Sequence, residues 1–253
     1  KNIYRKIATK VIETEINSLK KLKSSINSSF EKAVKSIINC KNGKIIISGV
    51  GKSGIIGKKI SSTLASVGTS SFFVDASSCS HGDLGKIGSK DILILISYSG
   101  ESIELKNIIQ FAKRNKIFLI GIVSKKNSLL YKASNVKLYI PEVKEADPNN
   151  IVPTSSTITQ LSIGDALAVA TMKYKKFSKL DFKKFHPSGS LGRQLKTVED
   201  IMLTGNKIPF VNENILMKKA LKILVNKKLG TLVIKNKKGF TSGILVDGDI
   251  KRA

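Results

Sequence analysis

The chain has 253 residues, 41% of them hydrophobic and 25% charged, which suits one large domain or two smaller ones and excludes a fibrous or disordered chain. No apolar run nears the ~18 residues of a membrane span, so a soluble protein with no membrane partner is expected. The net charge of +26 raises nucleic acid as a partner, but only Arg5, Arg114, Arg193 and Arg252 are arginine and the lysines are dispersed; readers of phosphate backbones lean on arginine's bidentate fork, and no nucleic-acid partner is expected.

Apolar residues at helical spacing run from Ile7 through Val11, Ile16, Leu22, Phe30 and Val34 to Ile38, and Asn42-Gly43 stops them, so residues 3–39 read as a helical lead-in. Short apolar strands then alternate with helices. The strands are 44–48, 72–74, 92–97, 118–123 and 137–140, and the helices lie near 53–67, 102–115 and 155–172. Continuously apolar strands separated by helices predict a doubly wound parallel five-stranded sheet in a three-layer α/β/α fold. Ligands of such sheets bind at the carboxyl ends of the strands. After His186-Pro-Ser-Gly-Ser-Leu-Gly192 the character changes. Residues 196–253 read as a small α/β unit, with strands at 208–211, 231–235 and 242–246 and a helix at 216–228. Domains of 1–195 and 196–253 are expected.

Cys40 and Cys79 are too few for a disulfide scaffold, and nothing at the N-terminus reads as a signal peptide, so a reducing cytoplasm is expected. Two Cys and two His form no recognisable zinc spacing, so no metal is expected.

Two strands end alike, in serine followed by glycine and hydroxyls before a helix: Ile45-Ile-Ile-Ser-Gly-Val-Gly51-Lys52-Ser53-Gly54 and Leu93-Ile-Leu-Ile-Ser97-Tyr-Ser99-Gly-Glu-Ser102. Each gathers backbone N–H groups, hydroxyls and a helix N-terminus around one point, as an oxyanion requires. A third hydroxyl cluster, Thr154-Ser155-Ser156-Thr157, opens another helix. One such cluster alone is ordinary N-capping; three in one sheet point to a phosphate pocket. Gly49-Val-Gly51-Lys-Ser-Gly54 also fits the dinucleotide fingerprint, with Asp75 some 20 residues on. Lys52 inside the turn and the second serine loop suit a compact sugar phosphate better than an extended cofactor.

With these motifs in view the chain resembles the arabinose 5-phosphate isomerases of the sugar isomerase (SIS) family. The resemblance rests on the two serine loops together with His81-Gly-Asp-Leu-Gly85, Lys144-Glu-Ala-Asp-Pro148, Pro153-Thr-Ser-Ser-Thr157, Gly164-Asp-Ala-Leu-Ala168 and His186-Pro-Ser-Gly-Ser-Leu-Gly-Arg193, in order through almost the whole first domain. The C-terminal unit, residues 196–253, ending on Gly243-Ile-Leu-Val-Asp-Gly-Asp-Ile250, looks like the first of two CBS repeats that such enzymes carry, with the second absent. Two positions depart from the family pattern: Tyr98, where Asn is commoner, and Asp147, where Cys is commoner. The resemblance implies interconversion of D-ribulose 5-phosphate and D-arabinose 5-phosphate, supplying the eight-carbon acid Kdo for lipopolysaccharide. It implies no redox cofactor, a sugar phosphate as ligand, and assembly as a homotetramer or dimer.

Aldose–ketose isomerisation moves a proton between adjacent carbons through an enediolate. It needs a base at the carbon acid, a group that shuttles the hydroxyl proton, and positive charge at the developing oxyanion. The motifs give the catalytic candidates Lys52 for the oxyanion, Glu104 or Glu145 as base, and His186 for hydroxyl protons; the sequence does not divide the two carboxylates. Gly51, Ser53, His81, Ser97, Ser99, Ser102, Thr154, Ser155 and Ser156 are the expected substrate contacts. A non-catalytic sugar-phosphate sensor would share the serine loops without needing Lys, two Glu and His together, and all four are present.

Overall fold

A computed structural model describes residues 2–186 and 196–252 of the chain, which divides after Leu195 into two compact units. The Pro187–Arg193 part of the His186 motif lies outside the described residues.

The lead-in is two helices rather than one, α1 (Ile3–Ser25) and α2 (Ser28–Asn39). The apolar spacing continues across the break, but Asn27 turns extended and its side chain accepts from Ser29 N–H at 2.8 Å. A local cap thus overrides the period. There follow β1 (Ile45–Gly49), α3 (Gly51–Ser66), β2 (Ser71–Phe73), the short α4 (Ala76–Cys79), β3 (Ile92–Ser97), α5 (Ile103–Arg114), β4 (Phe118–Val123), α6 (Leu129–Ala133), β5 (Val136–Tyr139), α7 (Ser155–Tyr174) and α8 (Lys179–Phe185).

The five strands form one parallel sheet in the order β2-β1-β3-β4-β5. Alternate residues of β1 face opposite ways, as a pleat dictates. Ile45 and Ile47 join a buried cluster with Ile37, Ile60, Leu64, Ile163 and Leu167, and Ile46 joins another with Leu105, Ile108 and Leu130. Helices α2, α3 and α7 therefore cover one face and α5 and α6 the other, the three layers expected. Helix α7 crosses α3 closely at Gly164, where a Cβ would lie 2.2 Å from Ile60 Cδ1.

The second unit holds α9 (Val198–Ile201), β6 (Phe210–Asn212), α10 (Met217–Lys227), β7 (Thr231–Lys235), β8 (Thr241–Val246) and α11 (Asp247–Arg252). Its sheet runs β6-β7-β8, the first pair parallel and the second antiparallel. Val211, Ala220, Leu224 and Leu232 are its own buried cluster.

Candidate active site

The strand order reverses direction between β1 and β3, so the loops leaving their carboxyl ends diverge and open a crevice. A cleft of about 410 Å³ lies there, lined by Lys52 and Ser53 from the β1–α3 turn, Tyr98 from the β3–α5 loop, Glu145 from the segment after β5, and Ser156 and Gln160 from α7. A larger groove of about 620 Å³ at the amino ends of β4 and β5 contains none of the expected residues.

Two glycines shape the first turn. Gly51 opens α3 with φ +57°, and a Cβ on Gly54 would stand 2.7 Å from Gly49 O. The chain can reverse this tightly only without side chains at those points, and the reversal puts Lys52 and Ser53 in the first turn of α3. Lys52 is exposed and pairs with no carboxylate among the described residues.

The β3–α5 loop is held from inside. Ser97 Oγ lies 3.0 Å from Ser102 Oγ and accepts from Gly100 N–H at 3.0 Å, while Ser99 Oγ accepts from Glu101 N–H at 3.3 Å. Ser97 is buried and Ser99 exposed. Ser102 is the N-cap of α5, so the open end of this loop presents serine hydroxyls beside the amino end of a 12-residue helix.

Glu145 is tied to the start of α7. Its Oε2 accepts from Thr154 N–H at 2.8 Å, Thr154 Oγ1 at 3.1 Å and Ser156 N–H at 3.2 Å. The third hydroxyl cluster therefore differs from the phosphate pocket expected of it. A carboxylate already holds those donors, Thr154 Oγ1 also accepts from Ala146 N–H at 2.9 Å, and Ser155 is fully buried with its hydroxyl unpaired. Thr154 and Ser155 are thus closed to a ligand in this arrangement, while Ser156 lines the cleft.

The other candidates stand elsewhere. Glu104, half-buried in the first turn of α5, and the exposed His81, just past α4, are at the carboxyl edge of the sheet but not among the cleft's lining residues. His186 is at the far side. The 20 residues of α7 span about 30 Å, from Glu145 at one end to Lys175 at the other, where Lys175 Nζ donates to Thr69 Oγ1 beside the amino end of β2. Phe185 stacks on Phe177 at 6.0 Å there, and a Cβ on Gly68 would touch the Phe177 ring. His186 stacks on Phe182 at 3.8 Å with Nδ1 3.0 Å from Phe182 O. Within one chain it is separated from Lys52 by most of the length of α7.

Gln160 is a cleft residue the sequence reading missed. It is 1% exposed and its Oε1 has no partner. The usable signal was its spacing: Ser156 and Gln160 lie one turn apart on the buried face of α7. Among the described residues no three His, Cys, Asp or Glu side chains gather as metal ligands would, and no helix is long and apolar enough to cross a membrane. Cys79 is buried, and desolvation, with Asp83 and Asp75 nearby, pushes its thiol up to about 11, so it has no thiolate to offer.

Known proteins share this outline. Residues 37–170 match the SIS domain. An arabinose 5-phosphate isomerase KdsD of Francisella tularensis subsp. tularensis is 45% identical over 249 residues, 97% of this chain and 76% of that protein. The KdsD of Salmonella typhi is 42% identical over 250 residues, 98% of this chain and 76% of its own. Among solved structures, E. coli CFT073 c3406 in complex with arabinose 5-phosphate superposes with a TM-score of 0.70 at 35% identity, covering 73% of this chain and 97% of that one. A putative sugar-phosphate isomerase from Listeria monocytogenes gives 0.72 at 31% identity, covering 74% and 98%.

Proposed function

The chain belongs to the SIS domain family, among its arabinose 5-phosphate isomerases, and from that premise we propose that its cleft interconverts D-ribulose 5-phosphate and D-arabinose 5-phosphate through an enediolate. The observation that carries the mechanism is the meeting of Lys52 and Glu145 across one cleft at the β1/β3 crevice.

Starting from the aldose, Glu145 takes the proton from C2 while the C1 oxygen gains one. The resulting enediol then loses its O2 proton and receives a proton at C1. Glu145 Oε2 is engaged by three donors on α7, which fixes the carboxylate's orientation and leaves Oε1 as the oxygen that moves the proton. Lys52 stabilises the oxyanion, a role a fixed cation performs best where water is excluded. The exposed end of the Ser97–Ser102 loop and the amino end of α5 receive the phosphate, with Ser53 and Gly51 across from it. His81 and Glu104 contact the sugar from the same edge, and His186 handles hydroxyl protons from a second copy of the chain.

The finer reading extends to the whole protein. The product feeds Kdo and lipopolysaccharide in the cytoplasm, the chains assemble as a homotetramer or dimer, and residues 196–253 are a CBS repeat. Support for the last is the order strand, helix, strand, strand, helix from β6 to α11. No observation favours the sensor alternative.

The test is a coupled assay on ribulose 5-phosphate with the purified protein and Lys52→Ala beside it. Turnover by the wild type, with kcat lower by about 10²- to 10³-fold in the variant, is the expected result. An inactive wild type, or a variant as fast as the wild type, would overturn the reading.

A further inference from the structure

The segment that brings Glu145 to the cleft, residues 140–154, has no helix or strand. A carboxylate on an unsupported loop would wander by more than the fraction of an ångström that proton transfer tolerates. Here the loop is closed on itself by one side chain. Asp147 Oδ1 accepts from Ile151 N–H at 2.9 Å and Val152 N–H at 2.8 Å, and its Oδ2 accepts from Asn149 N–H at 2.9 Å. The ring so formed turns Asn150 into the left-handed region, φ 57°, and Asn150 Oδ1 then accepts from Glu145 N–H at 2.6 Å. It also delivers Pro153 and Thr154 to the point where Thr154 meets the Glu145 carboxylate. From the sheet side, Tyr98 Oη accepts from Val143 N–H at 2.8 Å. Glu145 is therefore gripped at its backbone by Asn150 and at its carboxylate by α7, and both grips depend on the course of residues 147–152.

We propose that Asp147 is a positioning residue for the isomerisation: its carboxylate folds the 147–152 loop so that Asn150 and Thr154 hold Glu145 at the Lys52 cleft. The inference rests on the reading of Glu145 as the base. Asp147 has no path to the substrate of its own, since it is not among the residues lining the cleft. Desolvation raises its pKa, but the hydrogen bonds from Val152, Ile151 and Asn149 outweigh that and hold the carboxyl below its usual range. The ionised, triply accepting form thus persists throughout the neutral range.

The test compares wild type, Asp147→Ala, Asp147→Asn and Asn150→Ala, with kcat and KM measured separately and amide exchange followed at Glu145, Ile151 and Val152. The alanine variant should lose about tenfold or more in kcat, as small misplacements of a reacting group do. KM should change little, because the hydrogen bonds among Ser97, Ser99, Gly100, Glu101 and Ser102 that shape the phosphate loop do not involve residues 147–152. Asparagine keeps an Oδ1 for Ile151 and Val152 and should recover most of kcat. Asn150→Ala should lower kcat too, and because Asn150 itself lines the cleft, quickened exchange at Glu145 N–H, the donor its Oδ1 holds, is the readout that carries the test should Asp147→Ala fail to fold; unchanged exchange there overturns the proposal. Exchange at Ile151 and Val152 should quicken in Asp147→Ala and hardly in Asp147→Asn. Full kcat in Asp147→Ala, no recovery by asparagine, or unchanged exchange overturns the proposal while an active wild type leaves the isomerase reading intact. An inactive wild type overturns that reading and this inference together.

Discussion

Gly51 and Gly54 lie in one turn and resist substitution for different reasons. Around Gly51 a Cβ would meet nothing within 4 Å, and only its positive φ resists a side chain; at Gly54 the obstacle is the backbone oxygen of Gly49. Gly51→Ala should therefore cost about 1 kcal/mol, the penalty of a left-handed L-residue. Gly54→Ala should cost about 1–3 kcal/mol, as overpacking does, and should also move Lys52. Urea unfolding together with turnover checks both: Gly54→Ala should lose more activity than Gly51→Ala, and equal losses would mean that the turn yields without displacing Lys52. At this scale the sequence was legible where a residue's chemistry is unusual for its place. Lys52 inside a glycine turn and Glu145 in a loop stood out and share the cleft. Ser155 stood out too, yet its hydroxyl is buried, because a run of hydroxyls at a helix start does not say which face of the helix packs inward. Gln160 was silent, since a polar residue in a helix acquires meaning only from what covers it.

The strands and long helices were read to within a residue or two because the buried strands are continuously apolar and glycine turns or hydroxyl clusters lie between them. β3, β4 and β7 begin and end as expected. The short helices α4, α6, α8 and α9 were missed: four to seven residues carry too little periodicity to register. The break between α1 and α2 was missed because Asn27 caps α2 without interrupting the apolar spacing. The chain divides after Leu195 into two compact units, the first with two buried clusters on the two faces of its sheet and the second with one of its own. Every residue assigned here to the cleft precedes that boundary. A chain ended at Leu195 should therefore stay folded and keep turnover within about threefold, as an autonomous domain does. Circular dichroism with the ribulose 5-phosphate assay checks this; a folded but inactive truncation would show that the second unit shapes the cleft.

For the whole molecule the decisive dimension is the length of α7. Its amino end holds Glu145 and its carboxyl end leads to α8 and His186, so a single chain separates two groups that the proposed mechanism assigns to one substrate. Two copies packed so that the far edge of one meets the carboxyl edge of the other would reunite them, and would also shelter the enediolate from water. The apolar residues exposed along α1, among them Ile3, Tyr4, Ile7 and Ile12, offer surface for such an association. Lys52→Ala and His186→Ala proteins, each expected to be strongly impaired alone, should regain activity on subunit exchange because mixed pairs carry one intact site. Confirmed exchange by mass without any return of activity would place both residues in one chain's site.

That same helix length has a genetic reading. If lesions at the two ends of α7 are felt in different pockets, a cell carrying one allele without Lys52 and another without His186 would make some wholly intact sites. Two alleles that both damage the amino end, at Lys52 and Glu145, would make none.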